Sequence, residues 1–382
     1  MMVVVPVLRP TRSSALTAAL LGIVGVFVAE QLWQLVPLAV GCDFIPLRHA
    51  AEALLDGASV YRDPSFVYPP TVALALLPTT VSTDAAAFAV WLAAIIAALT
   101  ATAVTIARAA PLGGRLRLFA FTLMVLLGGT AAQGSLFAGN LSALLALVAV
   151  GILLAFHRGR WTLGCSVLAA SLLIKPLLAP LILIPVLSRR WRPLVRTMLP
   201  AGAVLLLSLV LVPGGTQFPG VLRHSLTGSN LHGTEAVNNL SLHGWTEAHQ
   251  ISPAVGVLAA IAVVVATAIR IGTADVVPAW LGSVLLLMTF LAGRIAEANY
   301  LFIAASAAML HLALRPPPGR WLWIAHLAGL GILALPTLPG GAATQTWLVG
   351  SELLTFAALL IFRPPAERPA PDLPQLSPAA NP

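Results

Sequence analysis

Charged side chains are scarce in this sequence, and lysine is almost absent. Only 9% of the 382 residues are charged, against about 25% in soluble globular domains, and Lys175 is the single lysine of the chain. The composition is 59% hydrophobic, and apolar runs repeatedly approach the ~20 residues that span a bilayer. These proportions exclude a soluble globular protein and predict an all-α polytopic membrane protein.

Cysteines are also few, and basic stripes and metal-binding motifs are absent from the sequence. The chain has 2 cysteines, Cys42 and Cys165, which are too few for a disulfide framework. The net charge of +8 comes from arginines in short breaks between apolar runs, which argues against a nucleic-acid-binding protein. The histidines between residues 224 and 249 have neither HxxxH nor HExxH spacing, so we predict no metal site.

The apolar runs predict the helices of one membrane domain, residues 1–363, followed by a disordered proline-rich cytoplasmic tail, residues 364–382. The run at 161–188 has basic residues at both ends and Lys175-Pro176 at its centre, so we expect it to turn inside the membrane as two shorter helices. The total is then about 12 transmembrane or re-entrant helices. The runs lie near residues 15–36, 85–107, 116–132, 140–156, 161–188, 194–213, 253–269, 277–293, 296–313, 320–336 and 345–362.

The arginines predict which loops face the cytoplasm. If the N-terminus is cytoplasmic, the external breaks contain only Arg48, Arg62, Arg223 and Arg294, and every other arginine falls inside. This asymmetry predicts that both termini are cytoplasmic and that residues 41–84 are external.

The segment 41–70 is the most acidic part of the chain and directly follows the first apolar run. Asp43 lies at the external end of that run, where loss of solvent raises a carboxylate pKa toward the range of a general base. The alternative is a solvated aspartate at a helix start. Tyr68 ends the segment in a Tyr-Pro-Pro motif, which is either part of the site or a rigid turn with an interfacial tyrosine.

Lys175 is the second candidate site residue. A lysine inside a membrane costs several kcal/mol unless it faces water, an acid or an anionic ligand, and its compact ammonium suits a phosphate. The alternatives are a snorkelling or ion-paired lysine. Arg294 is external by topology and either holds the phosphate with Lys175 or pairs with Glu297, three residues further on. Other polar residues that we expect near Lys175 are Gln133, Asn140, Asn238, Asn239, His243, Glu297, Asn299 and Tyr300.

Several of these motifs together resemble glycosyltransferase family 87, whose members are polytopic GT-C enzymes that use polyprenyl-phosphate sugars in envelope synthesis. The resemblance extends over most of the membrane domain. The matching motifs are Asp43, GASVY at 57–61, YPP at 68–70, GN at 139–140, LLIKPLLAPLILIPVLSRRWRPLV at 172–195 and NNLS at 238–241.

The resemblance implies an inverting glycosyltransferase in the plasma membrane, with its active site on the external face, a lipid-linked sugar donor and a polysaccharide or glycolipid acceptor. It implies no metal or other cofactor. Asp43 matches the general base, and Lys175 with Arg294 is expected to hold the donor phosphate. Where many members have Trp-x-His-Tyr, this chain has no histidine, and Arg294 and Asn299 are the candidate replacements. The substrate contacts expected are Tyr68, Asn140, Asn238, Asn239, His243, Glu297, Asn299 and Tyr300.

The segment 172–195 is most similar to the branching α-(1→3)-arabinofuranosyltransferases of arabinogalactan and lipoarabinomannan synthesis. The α-mannosyltransferases of phosphatidylinositol mannoside synthesis share the same plan and are the alternative. A lipid-linked sugar transporter would also have many helices, but transporters gather ionisable residues near the midplane of repeated units, whereas the acids here are external and no repeat is visible. An inactive homologue is a further alternative.

Overall fold

The described part of the chain is helical and contains no strand in the computed structural model, which confirms the predicted all-α polytopic membrane protein. The described residues are 22, 25, 41–128, 132, 136–227, 239–272, 277–294, 296–315, 329–330 and 342–361. Most of the predicted helices at 15–36 and 320–336, the tail at 364–382, Gln133 and Asn238 lie outside them. The α-helices are α1 (Phe44–Leu55), α2 (Pro70–Ala75), α3 (Asp84–Ala109), α4 (Arg115–Leu127), α5 (Ser142–His157), α6 (Trp161–Leu172), α7 (Leu183–Leu187), α8 (Trp191–Leu211), α9 (Phe218–Thr227), α10 (Leu242–Ala248), α11 (Pro253–Gly272), α12 (Pro278–Ala292), α13 (Leu301–Leu314) and α14 (Ala342–Ile361).

Within these residues, 4 helices are long and apolar enough to cross a membrane, namely α3, α8, α11 and α14. The helices α5, α6, α12 and α13 are apolar but shorter. Much of α8 and α11 is exposed although apolar, for example Leu199 and Val210 in α8 and Leu258 and Ile269 in α11. Exposed apolar faces on membrane-length helices are expected to contact lipid.

The longest helix, α3, has clear start and stop signals in its sequence. The Thr83 side chain accepts a hydrogen bond from the Ala86 amide, and Asp84 places a negative charge in the first turn. The helix then continues for 26 residues without glycine or proline. It ends with Arg108 in its last turn, just before Pro111.

The centre of the bundle consists of α5, α12 and α13. Nearly every residue of α13 is buried, and most residues of α5 and α12 are buried as well. Small residues allow the close packing: a Cβ on Gly282 of α12 would lie 2.3 Å from Leu153 Cδ2 of α5. This central packing brings the start of α5 next to the start of α13.

The predicted interruption of the run at 161–188 is confirmed. Helix α6 ends at Leu172, Lys175 has an extended backbone with φ −153° and ψ 125°, and the 3-10 segment Pro176–Ile182 leads into α7. Proline causes this break, because its ring pushes the preceding residue out of the helical region and it donates no amide hydrogen bond. The side of the membrane that each end faces stays a prediction.

Candidate active site

The aspartate that precedes α1 is fixed by backbone pairing with the segment before α5. The Gly41 amide donates to the Phe137 carbonyl at 3.0 Å, and the Asp43 amide donates to the Ala138 carbonyl at 2.9 Å. The Trp91 indole of α3 donates to the Gly139 carbonyl at 2.7 Å, which adds a third element to this junction. Asp43 is therefore held by residues almost 100 positions away in the sequence.

The carboxylate of Asp43 is bonded to a buried asparagine. Asn140 Nδ2 donates to Asp43 Oδ2 at 2.6 Å, and the Ser142 amide donates to Asn140 Oδ1 at 2.8 Å. The second bond fixes which end of the amide faces Asp43, because Oδ1 is already occupied. Asn140 thus orients the carboxylate, and Ser142 orients Asn140.

The surroundings of Asp43 favour its neutral form relative to an aspartate in water. Burial raises the pKa of Asp43, and the negative charge of Glu297 raises it further. The hydrogen bond from Asn140 and the positive charge of Lys175 lower it, but the net direction is upward. A raised pKa makes Asp43 a stronger base than a solvated aspartate once it is ionised.

The turn before Asn140 requires glycine. Gly139 has φ +72°, and an added Cβ would lie 2.9 Å from Phe88 Cε2 and 3.0 Å from Phe44 Cβ. Gly57 has a similar φ of +68° but nothing within 4 Å of the added atom. We expect Gly139→Ala to destabilise the purified protein by about 2–3 kcal/mol and Gly57→Ala by only about 1 kcal/mol. Thermal unfolding in detergent measures both, and equal losses would contradict the packing account.

Lys175 lies between two tyrosine rings. Its Nζ is 5.2 Å from the ring centroid of Tyr68 and 4.8 Å from that of Tyr300. Both tyrosines are buried, whereas Lys175 itself is partly exposed. Aromatic rings at these distances attract an ammonium group. The structure thus brings together three predicted site residues.

The loop that carries Tyr68 is held from both sides. The Tyr61 hydroxyl donates to the Tyr68 carbonyl at 2.8 Å, and Phe66 packs against both tyrosine rings. The Thr71 hydroxyl donates to the carbonyl of Leu173, at the broken end of α6. The Tyr-Pro-Pro turn and the helix break therefore position Tyr68 and Lys175 together.

Glu297 and Asn299 contact each other, and Asn299 also contacts the start of α5. Asn299 Nδ2 donates to Glu297 Oε2 at 3.0 Å, and Ser142 Oγ makes a longer contact of 3.5 Å with Asn299 Oδ1. Glu297 is exposed, and its charge acts on both Asp43 and Lys175. The exposed carboxylate of Glu297 and the partly exposed amide of Asn299 are suited to binding hydroxyl groups.

Asn239 is buried and bonded to backbone. Its Nδ2 donates to the Arg294 carbonyl at 2.7 Å, and its Oδ1 accepts from the amides of Ala296 at 2.8 Å and Ser241 at 3.2 Å. The side-chain amide therefore holds the segment that leads to Glu297. Its predicted contact with substrate stays a prediction.

The structure gives fewer contacts for the side chains of Arg294 and His243. Arg294 is exposed, and among the described residues no ion pair within 4.0 Å joins it to Glu297. His243 lies in the first turn of α10 and is partly buried. The roles predicted for both stay predictions. Within the described part of the chain, no group of 3 or more histidine, cysteine, aspartate or glutamate side chains is arranged to hold a metal ion.

Comparison with known proteins identifies the chain. The model of glycosyltransferase family 87 matches residues 66–292, which is more than half of the 382 residues. No curated protein and no solved structure matches. The matched region contains Tyr68, Asn140 and Lys175, while Asp43 and the segment 294–300 lie outside it and reach the same site through the contacts described above. The chain belongs to glycosyltransferase family 87, and it is a membrane glycosyltransferase.

Proposed function

We propose that this glycosyltransferase uses a polyprenyl-phosphate sugar and transfers the sugar with inversion at its anomeric carbon. The donor sugar in this proposal is arabinofuranose, carried by polyprenyl phosphate, and the acceptor is an arabinan of arabinogalactan or lipoarabinomannan. The reaction takes place on the external face of the plasma membrane, and both termini of the chain are cytoplasmic.

One observation supports the mechanism: a carboxylate and an ammonium group are each held in place by neighbouring side chains of the same site. Asp43 is oriented by Asn140 at 2.6 Å, and Lys175 is held between the rings of Tyr68 and Tyr300. The Lys175 charge also lowers the pKa of the Asp43 carboxylate, which supports the assignment of both groups to one site.

The chemistry needs little more than these two groups. Asp43 takes the proton of an acceptor hydroxyl, whose oxygen forms a bond to the anomeric carbon of the donor sugar. The bond from that carbon to the phosphate oxygen breaks, and its electron pair stays on the phosphate. Lys175 stabilises the negative charge that develops there. Because a phosphate leaves readily near neutral pH, no general acid and no cofactor take part in the proposed reaction.

The other polar side chains suit sugar hydroxyl groups. The Glu297 charge acts on Asp43, and Asn299 donates to Glu297, so both would bind an acceptor whose hydroxyl approaches the base. Arg294 is exposed at the start of the same segment and is free to approach the donor phosphate when substrate binds. The choice of arabinose is supported by the similarity of the segment 172–195 to branching arabinofuranosyltransferases.

A direct assay tests this proposal. Purified protein in liposomes is incubated with radiolabelled polyprenyl-phosphoarabinose or polyprenyl-phosphomannose and an arabinan or mannan oligosaccharide. We expect label to pass from the arabinose donor to the arabinan and not from the mannose donor. Transfer of mannose alone would show that mannose, and not arabinose, is the donor sugar. Transfer from neither donor would contradict the proposed function.

A further inference from the structure

Two buried side chains, Asn239 and Ser241, hold Arg294 and Ala296, and the Ser241 hydroxyl donates to the Arg294 carbonyl at 3.2 Å. Asn239 binds the Arg294 carbonyl through Nδ2 at 2.7 Å and the Ala296 amide through Oδ1 at 2.8 Å. The Leu240 amide also donates to the Ala296 carbonyl at 2.5 Å. The donor and the acceptor of one rigid side-chain amide thus bind the same short segment. These two bonds determine both the position and the orientation of the segment.

The position of Asn239 is fixed in turn by the C-terminal helix. Gln345 Nε2, in the first turn of α14, donates to the Asn239 carbonyl at 2.5 Å. Gln345 and Asn239 are 1% and 2% exposed, so water does not compete for these bonds. Gln345, 106 positions from Asn239 in the sequence, therefore supports the segment that enters the site.

The segment delivers two site residues. Glu297 follows Ala296 directly, and its charge acts on Asp43. Tyr300 follows in the same turn, with its ring centroid 4.8 Å from Lys175 Nζ. A shift of the backbone at 294–297 would move the carboxylate away from the base and the ring away from the cation.

We propose that Asn239 and Gln345 are positioning residues, which hold the segment 294–300 against Asp43 and Lys175. Neither residue contacts the reacting atoms in this role. The proposal rests on the proposed function, because the positioned groups are those assigned to proton transfer and phosphate binding.

The pH profile separates this role from a general loss of stability. The groups that face Asp43 are Lys175, Glu297, Cys42 and Tyr68. The negative charge of Glu297 contributes to the raised pKa of Asp43, so moving Glu297 away lowers that pKa. Because the base must be ionised, the acid limb of kcat/KM should move to lower pH.

The experiment compares Gln345→Leu and Asn239→Ala with wild type. Neither substitution introduces a charge, and leucine is a good helix former that suits the buried position of Gln345. We expect the Ala296 and Leu240 amides to exchange hydrogen at least about tenfold faster in both variants, since each loss of a buried hydrogen bond is worth about 1.4 kcal/mol. We also expect kcat/KM to fall about tenfold, with its acid limb at lower pH.

Two further variants make the result specific. Thr355→Val removes a hydrogen bond of 2.9 Å within α14 itself, to the Ser351 carbonyl, and should change neither the exchange at 296 nor the pH profile. Glu297→Gln removes the charge but not the backbone bonds, so it should move the acid limb to lower pH without faster exchange.

The outcomes distinguish this proposal from the proposed function. Asn239 and Gln345 do not position the site if the Ala296 amide hydrogen exchanges at the wild-type rate in both variants. The same conclusion follows if exchange is faster but the active variants keep the wild-type acid limb of the kcat/KM profile. If wild type transfers no polyprenyl-linked sugar, the proposed function fails, and hydrogen exchange alone decides whether the two residues hold the segment. Should Asn239→Ala fail to fold, Gln345→Leu gives the decision.

Discussion

Replacing Asp43 with asparagine is expected to lower kcat for sugar transfer by about 10³-fold, because a positioned general base typically contributes 10²–10⁴-fold. Asparagine has nearly the same shape, and its Oδ1 can still accept the hydrogen bond that Asn140 donates. It cannot take a proton from the acceptor hydroxyl. The measurement is the rate of label transfer from polyprenyl-phosphosugar at saturating donor and acceptor.

The matched control for this variant is Asp56→Asn. Asp56 belongs to the same loop but is exposed at the C-terminal end of α1, and we expect full activity from its asparagine variant. Both variants should elute and unfold like wild type, since neither removes buried apolar surface. Turnover by Asp43→Asn within a few fold of wild type would show that another group accepts the proton.

Replacing Lys175 with methionine is expected to lower kcat/KM for the donor by about 10²–10³-fold. Methionine retains the length and apolar stem of the side chain, so the contacts with Tyr68 and Tyr300 are largely kept. The loss comes from the missing charge, because truncating a charged partner of a phosphate costs about 3–4 kcal/mol. We expect the donor KM to rise while the acceptor KM changes little.

The variant Lys175→Arg tests whether any positively charged side chain at this position can bind the donor phosphate. A guanidinium is planar and broader than an ammonium, and the gap between the two rings is formed around a compact group. We therefore expect arginine to restore less than a tenth of the lost activity. An unchanged donor KM in Lys175→Met would contradict the phosphate-binding role.

The single lysine also permits a binding test without turnover. An amine-specific reagent can modify only Lys175 and the N-terminus, so intact-mass and peptide analysis report on one side chain. A polyprenyl phosphate without sugar should protect Lys175 from the reagent and leave the N-terminus reactive. Equal labelling with and without this lipid would place the phosphate elsewhere.

The sequence predicted the parts of the fold that depend on local chemistry. Long apolar runs became helices such as α3, and the Lys175-Pro176 pair marked the break because proline acts on its own neighbours. Asp43 and Lys175 were predicted as site residues because charged residues are rare in this apolar chain, and their roles stay predictions. These features depend on residues close together in the sequence.

The contacts that complete the site depend on distant pairs, and the sequence did not predict them. Substrate contacts by Asn140 and Asn239 stay predictions, and the sequence did not reveal that Asn140 orients Asp43 and that Asn239 holds Arg294 and Ala296. One local signal was present: each asparagine begins an Asn-Leu-Ser repeat, in which the amide of the serine donates to the asparagine Oδ1. Such a bond is typical of a helix start and indicates that both asparagines also stabilise the local backbone.

Local sequence patterns also did not predict the hydrogen-bond partner of Glu297. Spacing of three residues suggested an ion pair with Arg294, but the two residues precede α13 and are not in one helix. Helical spacing brings side chains together only within a helix. Glu297 instead accepts a hydrogen bond from Asn299, and Arg294 stays exposed.

The two rings around Lys175 have a consequence for the entropy of donor binding. A free lysine side chain has about 2 kcal/mol of rotamer entropy, which is normally lost when the ammonium binds a ligand. Tyr68 and Tyr300 already restrict Lys175 in the absence of donor, so this loss occurs when the protein folds. Such preorganisation is worth up to about thirtyfold in affinity, which favours capture of a lipid-linked sugar that is dilute in the membrane.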